Sequence, residues 1–265
     1  MDELHLLLDH YPGAPWLALL RAIEVRKFAC VRGLCKPPVL DLGCGDGRVA
    51  SMAFETPLDV GLDADTSVLN RAAVQGAYRV LVAADSRRLP FADGCFHTVY
   101  SNGALEHMDD LNAVLAEVAR VTAVGGALVA LVPSAKFRVP VGILGKLMGR
   151  RVWEAFNRLH NHVNLLTSEE WCRYLESHGL RVREVRSYGG PAVAGYVSTR
   201  DLWSKVHLTA TWPVVRFAHG GNLGRFMPPS SRAALQRLFD DDGAGRDGYW
   251  LLVVAERRAL TARLG

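Results

Sequence analysis

Asp41, Gly43, Gly45, Gly47 and Asp63 are the residues of this chain whose types and spacing suggest shared chemistry. The glycines stand at alternate positions in Val39-Leu40-Asp41-Leu42-Gly43-Cys44-Gly45-Asp46-Gly47-Arg48, between an apolar run and a helical pattern. Lacking Cβ atoms, such a loop turns sharply and lets a ligand lie close to the backbone. The helix that follows is expected to aim its first N–H groups at that loop. Asp63 ends a second apolar run twenty residues after Gly43, where a carboxylate can accept two hydrogen bonds from a ribose diol. Together these features read as a site for a nucleoside-containing cofactor. A dinucleotide loop spaces its glycines G-x-G-x-x-G to seat a pyrophosphate. Here the third glycine comes one position early, and Asp41 precedes the first by two, which suits a cation better than a diphosphate.

Histidine titrates near neutral pH, so His107, His160 and His162 are the candidates for a general base. His160-Asn161-His162-Val163-Asn164 packs four polar side chains into five positions. It reads either as part of a catalytic site or as a loop that hydrogen-bonds its own backbone. His162 is the first candidate and His107 the second, the latter reading equally as a helix-entry residue. No carboxylate or cysteine lies close in sequence to complete a metal site with His160 and His162, and Cys30 and Cys35 lack a second ligand pair. No metal is expected.

Further motifs follow in order. They are Gly61-Leu62-Asp63, then Ala84-Asp85-Ser86 with Leu89-Pro90-Phe91-Ala92-Asp93-Gly94-Cys95-Phe96, then Ser101-Asn102-Gly103-Ala104-Leu105-Glu106-His107. Glu117-Val118-Ala119-Arg120-Val121 and Gly125-Gly126-Ala127-Leu128-Val129 come after them. From about Pro37 to Pro133 the chain resembles the small-molecule branch of the class I S-adenosylmethionine-dependent methyltransferases, with a weaker likeness from Leu165 to Tyr188. His97 departs from the branch, which usually carries Asp there. The resemblance implies S-adenosylmethionine as cofactor. It implies that Asp41, Gly43, Cys44 and Gly45 flank the methionine portion, and that Asp63 holds the ribose with Ala64 beside the adenine. It also implies that Asp85 accepts from the adenine amino group next to Ser86, and that Asn102 and Ala104 line the methionine side. Asp85 reads otherwise as a surface turn residue, and Asp63 as a helix cap, although Asp65-Thr66 already supply one.

The elements that must position these residues alternate. Apolar strands are expected at Val39–Leu42, Leu58–Asp63, Arg79–Ala84, Thr98–Asn102 and Ala127–Pro133, with helices at 48–54, 66–75 and 111–124 between them. This alternation predicts an α/β fold, a Rossmann-like doubly wound parallel sheet whose strand C-termini share one edge. Asp41, Asp63, Asp85 and Asn102 all fall near that edge, where open α/β sheets bind ligands. A helix at 16–31 precedes the sheet, and Thr167 with Glu170 predicts a capped helix ending near Gly179. Strand six is expected at Arg181–Tyr188 and a last strand at Tyr249–Glu256. In the resembled family the last strand runs antiparallel, which gives a seven-stranded sheet.

The expected organisation is an N-terminal helical segment over 1–36, a cofactor-binding core over 37–133 and an insertion over 134–164. A core helix and strand six occupy 165–188, a helical substrate lid 189–248, and the last strand and tail 249–265. The lid rests on Leu202, Trp203, Val206, Leu208, Trp212, Val214, Val215 and Phe217, since so long a structureless loop is uncommon in a compact domain. Both insertions are expected to build the substrate pocket.

Composition bounds the partners. The 265 residues are 49% hydrophobic with a net charge of +4, too mild a charge to imply nucleic acid. The chain opens Met-Asp-Glu without a basic leader, and its five scattered cysteines favour reduced thiols in a cytoplasm. The strand-four motif is not the Asn/Asp-Pro-Pro-aromatic box of amide and nucleobase methylation. A small or lipid-like acceptor is therefore expected, methylated on oxygen or on an activated carbon of a secondary metabolite or sugar. A second reading rests on Lys136, Arg138, Lys146, Arg150, Arg151 and Arg158 around the apolar stretch 139–148: a peripheral enzyme on an anionic membrane surface, acting on a lipid or prenyl-type intermediate. A third is a fold-sharing protein that binds S-adenosylmethionine without methylating. An exposed N-terminal helix and an apolar lid would permit a dimer.

Overall fold

The computed structural model describes residues 3–11, 13–201, 229–242 and 248–259. These divide into two compact units. One gathers residues 28–136, 160–186 and 250–265, and the other 1–27, 137–159 and 187–249.

The first unit is built on a seven-stranded sheet. Its strands are β1 Val39–Leu42, β2 Leu58–Asp63, β3 Tyr78–Ala83, β4 Phe96–Asn102, β5 Thr122–Pro133, β6 Leu180–Tyr188 and β7 Trp250–Arg257, in the order β3-β2-β1-β4-β5-β7-β6. β1 to β5 pair in parallel, and β7 runs antiparallel to β5 from Ala127↔Glu256 to Pro133↔Trp250. Each of the four residues of β1 is buried, as expected of a parallel strand covered on both faces. The core joins Leu40, Leu42, Leu62, Val99, Leu128 and Ala130 of the sheet to Val114, Leu115 and Val118 of α5 (Leu111–Val121) and to Trp171 and Leu175 of α7 (Ser168–Ser177). The α7 cap is the predicted capping box: Thr167 Oγ1 accepts from Glu170 N at 3.1 Å, and Thr167 N donates to Glu170 Oε2 at 2.8 Å. Asp65 caps α4 (Thr66–Gln75) by accepting from Ser67 N at 2.8 Å.

Several expected boundaries move. The fifth strand starts at Thr122 rather than Ala127, and its preceding helix stops at Val121. There Thr122 Oγ1 donates to Val118 O at 2.6 Å and closes the last turn. The expected N-terminal helix is α2 (Pro15–Ala29), with a further helix, α1 (Glu3–His10), before it. Proline at the first helical position sets where α2 begins. α3 is a six-residue helix, Arg48–Ala53.

The second unit is helical. α1 and most of α2 belong to it, with α6 (Gly142–Leu159), the helical residues 191–201 (α8) and α9 (Pro229–Asp240). Gly149, at φ 79° and ψ 170°, breaks α6 into two pieces. Trp153 is buried and donates from Nε1 to Phe137 O at 2.7 Å. Asp242, 3% exposed, pairs with Arg26 at 2.5 Å and Lys27 at 2.7 Å. The apolar residues on which the lid expectation rests, Leu202 to Phe217, lie outside the described residues. Among the described residues no helix is long and apolar enough to cross a membrane.

Candidate functional site

The parallel register brings the C-terminal ends of β1, β2 and β4 side by side, with Leu42 opposite Leu62 and Asp41 between Gly61 and Tyr100. The chain leaves β1 through Gly43, Gly45 and Gly47, at φ 75°, 54° and 75°. These left-handed values favour glycine at every second position. Each glycine then meets different surroundings. A Cβ on Gly43 would lie 2.4 Å from the Cβ of Ala104, so the loop and the turn after β4 touch there. One on Gly45 would meet nothing within 4 Å, leaving the open side to a ligand. One on Gly47 would lie 2.9 Å from the Tyr78 ring.

The loop's N–H groups are engaged inside the protein. Gly43 and Cys44 both donate to Leu62 O, at 2.8 and 2.9 Å, and Gly47 donates to Cys44 O at 3.1 Å. Gly45 donates to Asp63 Oδ2 at 3.0 Å and Arg48 to Asp46 Oδ1 at 3.2 Å. Apart from Arg48 N these donors belong to the loop, and Gly47, the N-cap of α3, makes no side-chain bond to the helix start. A pyrophosphate seat needs free donors in the loop itself. What the loop offers is carboxylate, from Asp41, Asp46 and Asp63, and that environment fits a cationic ligand.

Asp63 is half-buried and does two jobs at once. Besides Gly45 N it accepts Asp65 N on Oδ1 at 3.0 Å. Each oxygen keeps a second lone pair, enough for two ribose hydroxyls. Asp41 is 3% exposed. Burial pushes its carboxyl up to about 7, the hydrogen bond from Tyr78 pulls it down, and the negative Asp63 pushes it up. Tyr78 Oη donates to Asp41 Oδ2 at 2.7 Å and lies 3.5 Å from Cys44 O. Asp41 thus stands beneath the loop rather than on its open face. Cys44 is buried, which drives its thiol strongly up.

The remaining predicted cofactor residues are more open. Ala64 is exposed; Ser86, Asn102 and Ala104 are half-buried. Asp85 is exposed, and its carboxylate takes Arg87 N at 2.8 Å and Arg87 Nη2 at 2.6 Å. Those bonds, the side-chain one foremost, hold its carboxyl down at about 2. An adenine amino group reaching Asp85 competes with that guanidinium.

The three histidines come together. The His107 and His162 rings stack at 5.1 Å between centroids, and His162 and His160 at 5.2 Å, with planes 26° and 24° apart. The polar run is strapped to the turn after β4. Val163 N and Asn164 N donate to Glu106 O at 2.9 and 3.1 Å, and Asn164 Nδ2 donates to Leu105 O and Met108 O at 2.9 and 2.7 Å. Asn161 Nδ2 donates to His107 O at 3.3 Å, and His107 Nδ1 lies 3.2 Å from Asn161 O. Near-parallel rings keep their in-plane lone pairs from converging on one ion. Among the described residues no group of three or more His, Cys, Asp or Glu could hold a metal.

Three contributions were not read from the sequence. Tyr78 fills the space under the loop. Ser101, fully buried, donates to Leu42 O at 2.9 Å and ties β4 to β1 where the loop starts. Glu117 and Arg120 of α5 hold the segment after Asp85 by its backbone, at Leu89 N (2.7 Å), Leu89 O (3.0 Å) and Phe91 O (2.8 Å). Only Gly47 and Gly61 hinted at a bulky neighbour.

Known proteins agree with this geometry. Residues 40–130 match a family described as a methyltransferase domain. Malonyl-acyl-carrier-protein O-methyltransferase of Legionella pneumophila is 33% identical over 96 residues, covering 34% of either chain. Ubiquinone/menaquinone biosynthesis C-methyltransferase of Desulfotalea psychrophila is 32% identical over 127 residues, covering 42% of this chain and 52% of that one. The matches thus span about a third to a half of these relatives. Geranyl diphosphate C-methyltransferase of Streptomyces coelicolor, solved with S-adenosyl-L-homocysteine, shares the fold at a TM-score of 0.54 and 15% identity, over 88% of this chain and 76% of that one. The motif order, the 3-2-1-4-5-7-6 sheet with its antiparallel last strand and the carboxylate-lined glycine loop lead to one conclusion: residues 40–130 match a methyltransferase domain, carried on the sheet of the class I S-adenosylmethionine-dependent methyltransferase fold.

Proposed function

We propose that the protein methylates a small-molecule acceptor, on oxygen or on an activated carbon of a secondary metabolite or sugar. The observation that carries this reading is the glycine loop: the N–H groups of Gly43, Cys44, Gly45 and Gly47 are taken within the protein, while the carboxyls of Asp41, Asp46 and Asp63 gather around it. The relatives support the acceptor class, one being an O-methyltransferase and the other a C-methyltransferase. When bound, S-adenosylmethionine supplies a sulfonium-activated methyl group that an acceptor lone pair displaces in line, sulfur keeping the electrons of the broken bond. Asp41, Gly43, Cys44, Gly45, Asn102 and Ala104 are assigned to the methionine portion, Asp63 to the ribose, and Ala64, Asp85 and Ser86 to the adenine. Positioning supplies much of such an acceleration. Where the acceptor is a hydroxyl, His162 takes its proton, with His107 stacked behind.

Calorimetric titration with S-adenosylmethionine and S-adenosylhomocysteine tests the cofactor. Transfer of isotope-labelled methyl into a small-molecule extract tests the reaction. Absence of binding by both compounds overturns the assignment; binding without transfer into any acceptor favours the non-methylating reading.

A membrane-surface version has its own support. Along 138–159, Arg138, Lys146, Arg150, Arg151 and Arg158 are exposed beside Val139, Leu147, Val152 and Leu159, and Leu147 and Leu159 are 78% and 75% exposed. A face that is both basic and apolar suits an anionic lipid surface. Sedimentation with phosphatidylserine vesicles at low salt tests it: co-sedimentation that Leu147→Glu and Leu159→Glu abolish supports the lipid acceptor, and none removes it.

A further inference from the structure

The Tyr78 ring is the piece against which the cofactor loop is shaped. A Cβ on Gly61 would stand 2.8 Å from two of its atoms and one on Gly47 2.9 Å from a third, so two glycines from different elements leave room for it. The ring carries its hydroxyl to Asp41 at 2.7 Å, under Cys44. The groups acting on Asp41 are Tyr78 of β3 and Asp63 at the end of β2. Asp41 in turn raises the Cys44 thiol, and Tyr100 of β4 acts on Tyr78 from beyond. The loop's own cation, Arg48, pairs with Asp46 at 3.4 Å. Among the described residues no cation counts among the groups that set the Asp41 carboxyl.

We propose that Tyr78 is a positioning residue that holds Asp41 as a charge-matching group, so that binding a cationic cofactor expels a proton from Asp41 whereas binding the uncharged product does not. S-adenosylmethionine carries one more positive charge than S-adenosylhomocysteine. A nearby positive charge favours ionised Asp41, and by linkage the proton leaves as that charge arrives. Burial that pushes the carboxyl up to about 7 sets the effect near neutral pH. The site then prefers the charged reactant over its product, and the preference fades as pH falls. The inference rests on the cofactor assignment above.

The test is calorimetry at pH 7 in two buffers of different ionisation enthalpy. Release of about half a proton per S-adenosylmethionine is expected, since a carboxyl near 7 is half protonated there, and much less with S-adenosylhomocysteine. Tyr78→Phe keeps the ring and removes the hydroxyl. It should weaken S-adenosylmethionine binding about tenfold, one hydrogen bond to a charged group, change S-adenosylhomocysteine binding less, and carry proton release to higher pH. Equal release with both compounds, or a Tyr78→Phe protein that matches the parent in both readouts, overturns the proposal. A readout without cofactor separates it from the assignment it rests on. The folded carboxyl is raised above its unfolded value, so its penalty on stability is absent below about pH 4 and complete above about pH 7. The melting temperature of Asp41→Asn should therefore rise relative to the parent across that window. If neither compound binds, the assignment fails while this series still decides whether Asp41 is held protonated; a gap that does not vary with pH overturns the proposal.

Discussion

The glycine-loop half of the site and the histidine half are built differently. Around the loop the spacing between Gly43 and Asp63, the backbone bonds to Leu62 and the Tyr78 ring leave little room for change. Around His107 and His162 the contacts join segments 54 residues apart, the rings are half-exposed, and polar side chains strap one turn to another. The first half is fixed by close packing and gathers carboxyls. The second lies in turns, where sequence can change with less cost to the sheet.

The comparison can be broken at either half. The largest expected effect is His162→Ala, a loss of about 100-fold in kcat on a hydroxyl acceptor with S-adenosylmethionine affinity unchanged. Rescue by added imidazole would sharpen the assignment; unchanged turnover at saturating substrate would reject it. Next is Asp63→Ala, expected to weaken S-adenosylmethionine binding by roughly 10- to 100-fold, the loss of charge-assisted hydrogen bonds, read by calorimetry. A loss confined to kcat would mean that the two halves are not separable. Gly61→Ala forces a methyl group against the Tyr78 ring and should destabilise the protein by about 2 kcal/mol, measured in urea. The double variant with Tyr78→Val should recover much of that loss. The smallest effect is expected at Thr167→Ala, about 1 kcal/mol from the lost cap, with kinetics and cofactor affinity unaltered. Any change in kcat there would show that α7 reaches the chemistry.

The loop half was legible because its signals are local. An apolar run, three glycines and an acid at the end of the next run lie within 25 residues, Val39 through Asp63. What the local pattern did not carry was packing: Asp41 is buried, with the Tyr78 hydroxyl as its partner. The N–H groups of Gly43, Cys44, Gly45, Gly47 and Arg48 are taken by Leu62, Cys44, Asp63 and Asp46, which the glycine spacing did not reveal. The polar run 160–164 stood out by composition, but its partners at Leu105–Met108 are too distant in sequence for periodicity to reveal.

By itself the amino-acid order determined which segments become strands, which acids close them and which cofactor class they suit, because strand period, glycine spacing and caps act between neighbours. Only the tertiary structure decided that a tyrosine from the third strand sits under the loop, that three imidazoles stack, and that Asp41 is buried. Those outcomes depend on side chains meeting across tens of residues, where burial changes what a carboxylate or a ring does and nothing in the chain's local pattern records it.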